Sequence, residues 1–262
     1  MTDPSSLQGD VALTVDAAVA TITLRRSFKL NALTPEMLDE LGTHITSIAA
    51  SDARVVVVRA DGTRAFCVGA DIDRFASLSP VEMLSWTARG HRVFDSLATL
   101  RQPTIAVVHA VALGGGLELA LACDFRVVTL ATRLGLPEVG LGTVPGWGGT
   151  ERLTELVGRS RAKEIVLARR MLDGATAEAW GLATVCAPPS GIEQAVADLV
   201  DRLAGGGPVA VALAKQIIDA AADGAPSRVL EALAGAVAST TQDLHLGIEA
   251  HRSKATPLFT GC

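Results

Sequence analysis

Residues 112–123 read Ala112-Leu-Gly-Gly-Gly-Leu-Glu-Leu-Ala-Leu-Ala-Cys123, a stretch in which three glycines precede an apolar segment with a single charge. The Leu and Ala residues around Glu118 predict a helix that is buried on every side. A carboxylate is costly to remove from water unless it is paired, hydrogen-bonded or used. The stretch therefore predicts a turn into a buried helix with a functional glutamate. The structural alternative is a tight turn, with Glu118 held by the helix N-terminus and a hidden partner.

Apolar runs on either side of this stretch predict strands. Residues 104–108 precede it, residues 125–129 follow it, and residues 55–58 form a similar run further upstream. Short apolar runs that alternate with helical patterns are typical of an α/β fold with largely parallel strands. The chain is therefore predicted to have an α/β fold.

The two ends of the chain are predicted to differ. Residues 11–16 and 18–24 alternate between apolar and polar types, which predicts a β-hairpin, and Thr34 is expected to cap the helix that follows. Beyond Gly148 the pattern predicts helices only, over about 192–203, 209–223 and 226–245. Their apolar surface exceeds what one small helical cap needs, which predicts a subunit interface.

A second glutamate lies in another glycine-rich stretch, Leu134-Gly-Leu-Pro-Glu-Val-Gly-Leu-Gly-Thr-Val-Pro-Gly146. Considered alone, Glu138 is best explained as a carboxylate on a surface loop. Considered with Glu118, it predicts an acid/base pair. Burial in an apolar pocket raises the pKa of a carboxyl toward the range in which it exchanges protons at neutral pH.

Two segments are predicted to offer backbone N–H groups to a ligand. The loop Ala65-Phe-Cys-Val-Gly-Ala-Asp71 follows a strand, so it is expected at the carboxyl edge of a sheet. The glycine run 114–116 precedes a helix, whose N-terminus attracts an anion. A plain turn explains the glycines of either segment equally well.

Charge and composition argue against several classes of function. The 262 residues carry a formal net charge of -5 and no basic run longer than two residues, so neither nucleic acid nor a membrane surface is an expected partner. The five histidines lack metal-ligand spacing, and no metal site is predicted. No apolar run reaches the length of a membrane span, and the first residues lack a secretion signal. A cytoplasmic protein with reduced cysteines is expected.

Taken in order, residues 65–72, 112–119 and 136–150 resemble motifs of the enoyl-CoA hydratase/isomerase (crotonase) family. The resemblance extends to residues 26–33 and 254–259, near the two ends of the chain. It implies a crotonase-like spiral of ββα units over residues 1–195. It also implies a C-terminal α-helical region, residues 196–262, that builds a homotrimer or a dimer of trimers.

The resemblance implies a reaction as well as a fold. By their positions in the motifs, the backbone N–H groups of Ala70 and Gly115 would stabilise the thioester oxygen of an acyl-CoA. Glu118 would deprotonate the water that attacks C3, and Glu138 would supply the proton to C2. The implied function is hydration of 2-enoyl-CoA in fatty-acid or related acyl-CoA degradation. Neither a metal nor a redox cofactor is expected, and coenzyme A is part of the substrate.

The same resemblance assigns the residues that contact the substrate and its CoA moiety: Lys29, Leu30, Ala70, Asp71, Ile72, Gly115 and Lys254. The helical stretch 75–94 is expected to shape the acyl pocket. Double-bond isomerisation, which can run with one carboxylate, is the nearest competing reaction. Acyl-CoA binding without catalysis is a third alternative. Retention of both glutamates favours hydration.

Overall fold

The computed structural model describes residues 9–76 and 78–262. Within these residues the chain forms ten β-strands: β1 Asp10–Asp16, β2 Val19–Arg25, β3 Val55–Ala60, β4 Ala65–Cys67, β5 Thr104–Val108, β6 Val111–Leu113, β7 Phe125–Thr129, β8 Arg133–Gly135, β9 Leu172–Asp173 and β10 Val185–Ala187. The same residues form eleven α-helices: α1 Pro35–Ala49, α2 Ile72–Phe75, α3 Pro80–Ala98, α4 Gly115–Leu121, α5 Gly149–Val157, α6 Arg159–Leu167, α7 Gly174–Ala179, α8 Ile192–Ala204, α9 Pro208–Ala222, α10 Ser227–Ala238 and α11 Gln242–Ser253. Residues 1–8, on which the expectation about a secretion signal was based, lie outside the described residues.

The strands form two sheets. Six strands lie in the order β1-β2-β3-β5-β7-β10, in which β1 and β2 are antiparallel and the other neighbouring pairs are parallel. Four strands lie in the order β4-β6-β8-β9, which is parallel except for the pair of β8 and β9. The predicted hairpin and the predicted α/β fold with largely parallel strands are confirmed.

The prediction of helices only beyond Gly148 is wrong. Strand β9 pairs antiparallel with β8, and β10 adds a parallel edge strand beside β7. Both strands are too short to show a two-residue periodicity, and their partners lie far earlier in the chain, so the folded sheet specifies them. The predicted helix over 226–245 is also interrupted, because α10 ends at Ala238 and Thr241 caps the new helix α11.

The first helix follows its prediction closely. The Thr34 hydroxyl accepts a hydrogen bond from the Met37 N–H at 3.3 Å, and Pro35 occupies the first turn, where its missing N–H is not needed. Its apolar residues recur at helical spacing, and five of them are buried: Met37, Leu38, Leu41, Ile45 and Ile48. This buried face fixes α1 against the start of the six-stranded sheet.

Strand β3 is buried on both faces, as its unbroken run of valines predicts. Val56 and Val58 belong to the main core cluster, which also contains residues of α1 and α4. Val55 and Val57 face the opposite way and pack in a second cluster with α8. Helices therefore cover both sides of the large sheet, and α4 lies in the main core.

Helices α9 and α10 leave much of their apolar surface uncovered. Within residues 208–238 neither helix contributes a buried residue, and Ile218, Val229 and Leu233 are exposed. Lys215 ties α9 to the sheet, because its Nζ lies 2.8 Å from Asp124 Oδ2. Among the helices that the structure describes, none combines the length and apolar character of a membrane span.

Candidate active site

The predicted motifs meet at one edge of the four-stranded sheet. Strands β4, β6 and β8 are parallel neighbours, so their carboxyl ends share this edge. The segments after these strands carry Ala70, Gly115 and Glu138, and Glu118 lies in the first turn of α4. These four residues line a cavity of about 640 Å³. Three motifs that are distant in the chain thus converge on one cavity.

Ala70 and Gly115 each present a backbone N–H group at the cavity. In the parallel bridge between Leu33 and Ala70, the Asp71 N–H and the Gly69 carbonyl bond to Leu33, so the Ala70 N–H points to the opposite side. Gly115 is the first residue of α4, where an N–H group has no intrahelical acceptor. A Cβ atom at Gly69 would lie 2.9 Å from the Gly115 nitrogen, so the two loops are in close contact.

Glu118 is buried with 2% of its surface exposed. Its Oε1 accepts hydrogen bonds from the Trp147 N–H at 2.7 Å and the Gly149 N–H at 2.9 Å. Burial raises the pKa of this carboxyl, and the backbone N–H groups and the charge of His91 oppose that rise without cancelling it. Because Oε1 is committed to the protein, Oε2 is the oxygen available to a ligand.

Glu138 has different surroundings. Its Oε2 is buried and has no hydrogen-bond partner among the residues that the structure describes. A Cβ atom at Gly114 would lie 3.1 Å from Glu138 Oε1, so this side chain reaches back to the start of α4. Burial, assisted by the nearby charge of Glu118, raises the pKa of Glu138 to about 7. An ordinary carboxylate on an exposed loop would not have these surroundings.

The contrast between the two glutamates suits an acid and a base. Two backbone N–H groups stabilise the charged form of Glu118. The Glu138 carboxyl has its own backbone N–H as a partner, but its buried Oε2 lacks a donor within residues 9–76 and 78–262, and burial outweighs that one hydrogen bond. Two carboxyl groups whose environments push their protonation apart are the arrangement that acid/base chemistry uses. Burial raises the pKa of both groups, and the hydrogen bonds favour the charged form more strongly at Glu118 than at Glu138.

Three of the predicted substrate contacts line the same cavity as the two backbone donors: Lys29, Asp71 and Ile72. The Lys29 side chain is half exposed, and its Nζ lies 3.1 Å from Asp73 Oδ2. Ile72 is 58% exposed, which leaves an apolar side chain available to a ligand at this part of the cavity.

The Asp71 carboxylate is occupied by the protein rather than presented to a ligand. Its Oδ2 lies 2.7 Å from Arg26 Nη1, and its Oδ1 accepts the Asp73 N–H at the start of α2. Burial raises the pKa of Asp71, but the hydrogen bond and charge of Arg26 outweigh burial and hold it below its usual value. This ion pair fixes the residue that follows Ala70 and so stabilises the loop.

The two remaining predicted contacts, Leu30 and Lys254, are not among the described residues that line this cavity. The Leu30 carbonyl accepts a hydrogen bond from Val68, which ties the two loops together through the backbone. Lys254 ends α11 in a left-handed conformation with φ 54° and is exposed. The cavity is thus built without Lys254.

Sequence reasoning missed several residues that line the cavity. One face of α3 contributes Met83, Trp86, Thr87 and His91, and the loop before α5 contributes Trp147. The spacing of residues 83, 87 and 91 places them on one side of a helix, so part of the stretch 75–94 lines this cavity. That this stretch shapes an acyl pocket stays a prediction. The side chain of Phe75 lies outside the described part of the structure.

A sequence model of the enoyl-CoA hydratase/isomerase family matches residues 14–261. The chain belongs to the enoyl-CoA hydratase/isomerase family. Among its relatives in this family, the short-chain-enoyl-CoA hydratase of Clostridium acetobutylicum is 36% identical over 211 residues, which cover 80% of this chain and 81% of that protein. The crotonyl-CoA hydratase of Syntrophomonas wolfei is 32% identical over 256 residues, which cover 95% and 97%.

Solved structures of the enoyl-CoA hydratase/isomerase family have the same fold. The crystal structure of enoyl-CoA hydratase from Bacillus anthracis superimposes with a TM-score of 0.92 at 32% sequence identity, over 96% of this chain and 99% of that chain. These matches confirm the family, the crotonase-type α/β fold and the enoyl-CoA hydratase function that the sequence motifs predict.

Proposed function

We propose that this chain adds water across the C2–C3 double bond of 2-enoyl-CoA thioesters through Glu118 and Glu138. One observation supports these roles most: two carboxyl groups with raised pKa values line one cavity together with two backbone N–H donors. Hydration needs one group that takes a proton from water and another that gives a proton to carbon. Isomerisation can use a single carboxylate, so only one of these two carboxyl groups would take part in it.

In the proposed reaction, water held at Glu118 Oε2 attacks C3 while Glu118 takes a proton from it. The electrons of the double bond move toward the thioester carbonyl, whose oxygen gains negative charge between the N–H groups of Ala70 and Gly115. Glu138 then gives its proton to C2, and the carbonyl reforms. Exchange with solvent removes the proton from Glu118 and restores the one on Glu138, so the cycle balances.

The backbone donors support the reaction where charge develops. They are fixed before the substrate arrives, because Gly115 begins a buried helix and Ala70 lies in a bridged loop. Removal of one such donor from an oxyanion hole lowers kcat by about 10²- to 10³-fold in other enzymes. This share overlaps that of a single acid or base, which is about 10²- to 10⁴-fold.

The first test is the loss of enoyl-thioester absorbance when the purified protein meets crotonyl-CoA. We expect consumption of the substrate and formation of the 3-hydroxyacyl-CoA product. A 3-enoyl-CoA run in parallel distinguishes isomerisation, which would create the absorbance instead of removing it. Tight binding of crotonyl-CoA without any turnover would contradict the proposed roles and favour an acyl-CoA binder.

The pH dependence of kcat/KM separates the two roles. Glu138 must be protonated to act as the acid, and its pKa is about 7, so we expect kcat/KM to fall as pH rises above that value. Glu118 must be ionised, so kcat/KM also falls toward acid pH, with a midpoint above the ordinary carboxyl value of 4.5. Hydration of crotonyl-CoA measured between about pH 5 and about pH 9 checks both limbs. A rate that stays level up to the alkaline end would contradict the role of Glu138.

We propose that the enzyme uses no separate cofactor and that coenzyme A enters the site as part of the substrate. Hydration changes no oxidation state overall, so the proposed reaction requires no redox cofactor. In this proposal the backbone N–H groups of Ala70 and Gly115 stabilise the thioester oxygen, so no step is assigned to a metal. Lys29 at the cavity is suited to the CoA phosphates. Lys254 is exposed at the end of α11 and is not among the described residues that line the cavity, so we assign it to CoA bound by a neighbouring subunit. We further propose a cytoplasmic location and a role in acyl-CoA degradation.

A homotrimer, alone or paired into a hexamer, is the proposed assembly. The uncovered apolar side chains of α9 and α10 support it, and Leu233 is 61% exposed in the single chain. We expect Leu233→Asp to shift the mass measured by light scattering after gel filtration from a trimer or hexamer toward monomer. Val15→Asp, at a similarly exposed valine on β1, should leave the mass unchanged. A wild-type monomer would contradict the proposal.

A further inference from the structure

Trp147 is a side chain for which the proposed reaction has no chemical use. It lies in the loop before α5, lines the cavity and is only 3% exposed. Its backbone N–H donates a hydrogen bond to Glu118 Oε1, so Trp147 is a direct neighbour of the proposed base. A large, rigid side chain at this place is in a position to limit what extends past the reacting carbons.

Two glycines make room for the Trp147 indole. A Cβ atom at Gly90 would overlap the indole Nε1, and a Cβ atom at Gly115 would overlap Cζ3. Gly90 lies inside the 19-residue helix α3, where glycine is a poor helix former, so packing is the reason for glycine there. The indole therefore fills the space between α3 and α4.

Two aromatic neighbours hold the ring in place. Trp86 and Phe94, both on α3, meet the Trp147 ring edge to face, with centroids 5.2 Å and 5.3 Å away. Phe94 is fully buried and Trp86 lines the cavity, so the indole forms a partition between the cavity and the core. A partition held on several sides cannot swing aside without repacking α3.

We propose that Trp147, seated against Gly90, closes the acyl end of the cavity and sets the longest acyl chain that the enzyme accepts. This inference rests on the proposed placement of the substrate. With the thioester oxygen at Ala70 and Gly115, and with C2 and C3 between the glutamates, the rest of the acyl chain extends toward Trp147 and the adjoining face of α3. The enzyme is therefore selective for short acyl groups.

The test measures a ratio, because the Trp147 N–H also holds Glu118 and any substitution can lower the rate for all substrates. We expect Trp147→Leu to raise kcat/KM for 2-octenoyl-CoA relative to that for crotonyl-CoA by about tenfold or more, as added methylene contacts do in other enzymes. Trp147→Phe should shift the ratio in the same direction by less. Trp180→Leu is the matched control, since Trp180 packs against Arg161 and Arg170 away from the cavity.

Binding of saturated thioesters separates this inference from the hydratase mechanism. In calorimetry, Trp147→Leu should bind octanoyl-CoA about tenfold more tightly than the wild type does, and butyryl-CoA about equally. The role of Trp147 would be overturned if Trp147→Leu and Trp147→Phe kept the kcat/KM ratio of the two substrates, and the affinities for the two saturated thioesters, within about twofold of the wild type. If the wild type hydrates nothing but Trp147→Leu still binds octanoyl-CoA more tightly than the wild type does, the proposed function is overturned and the role of Trp147 in limiting chain length is supported.

A second measurement tests the packing that the inference requires. Gly90→Ala adds a methyl group against the indole, so we expect it to lower Tm in the wild-type background. In the Trp147→Leu background the same substitution should cost little or even stabilise α3, because alanine is the better helix former. Equal losses of Tm in both backgrounds would contradict a close fit between Gly90 and Trp147.

Discussion

Replacing Glu118 by glutamine lowers the rate of crotonyl-CoA hydration by about 10²- to 10⁴-fold, the range expected when a general base is removed. The substitution keeps the size of the side chain. Its amide oxygen can still accept the hydrogen bonds of Trp147 and Gly149, so the fold around it is retained. The amide cannot take a proton from water, and the attacking nucleophile is therefore not formed. Initial rates of absorbance loss, compared with the wild type, give the size of the effect.

Exchange of the C2 proton distinguishes this explanation from general damage to the site. Glu138 is intact in Glu118→Gln, so butyryl-CoA in deuterated water should still exchange its C2 protons. Glu151→Gln, at an exposed glutamate on α5, makes the same chemical change outside the cavity and should hydrate at the wild-type rate. Wild-type hydration by Glu118→Gln would overturn the assignment of the base.

Much of the site could be predicted because its residues break local sequence rules. Glu118 is a charge in an apolar helix, and its burial confirms what its neighbours indicate. The glycine run before it marks a helix start, and α4 begins at Gly115. The roles predicted for Ala70 and Glu138 come from their positions in the family motifs, and the structure places both residues at one cavity. Their chemical roles stay predictions.

Long-range contacts could not be predicted from local pattern. The partners of Glu118 are N–H groups of Trp147 and Gly149, about thirty residues away, and no periodicity encodes them. The same holds for the buried pair of Arg26 and Asp71 and for the edge strand β10. Each of these features depends on the folded chain, which brings together residues that are far apart in the sequence.

The environment of Glu138 was also beyond local reasoning. Its neighbours in the chain are glycine, proline and valine, which are equally suited to an exposed loop. Its side chain lies against Gly114, and the charge of Glu118 adds to the rise in its pKa; both residues come from another segment. The pKa of Glu138 therefore depends on residues that meet only in the folded cavity. The most direct test of its proposed role is to remove the titrating carboxyl group.

Replacing Glu138 by glutamine should lower hydration by a similar factor of about 10²- to 10⁴-fold, because no group is left to give a proton to C2. Glutamine resembles the neutral carboxyl that the buried Oε2 favours, so we expect no loss of folding stability. In contrast to Glu118→Gln, this variant should lose exchange of the C2 proton of butyryl-CoA. Retained exchange would show that another group protonates C2 and would contradict the role of Glu138.

The stability of Glu138→Gln should also differ from that of the wild type in its pH dependence. The pKa of Glu138 is about 7 in the folded chain, against 4.5 for a free glutamate, so the folded state binds the extra proton between these values. Binding of this proton stabilises the folded wild type at low pH. That stabilisation is lost as pH rises from 4.5 through about 7. The variant has no such proton to lose, and its Tm should fall less across the same interval. Parallel Tm curves for the two proteins would show that Glu138 titrates as an ordinary exposed carboxyl and would remove the basis for its role as the acid.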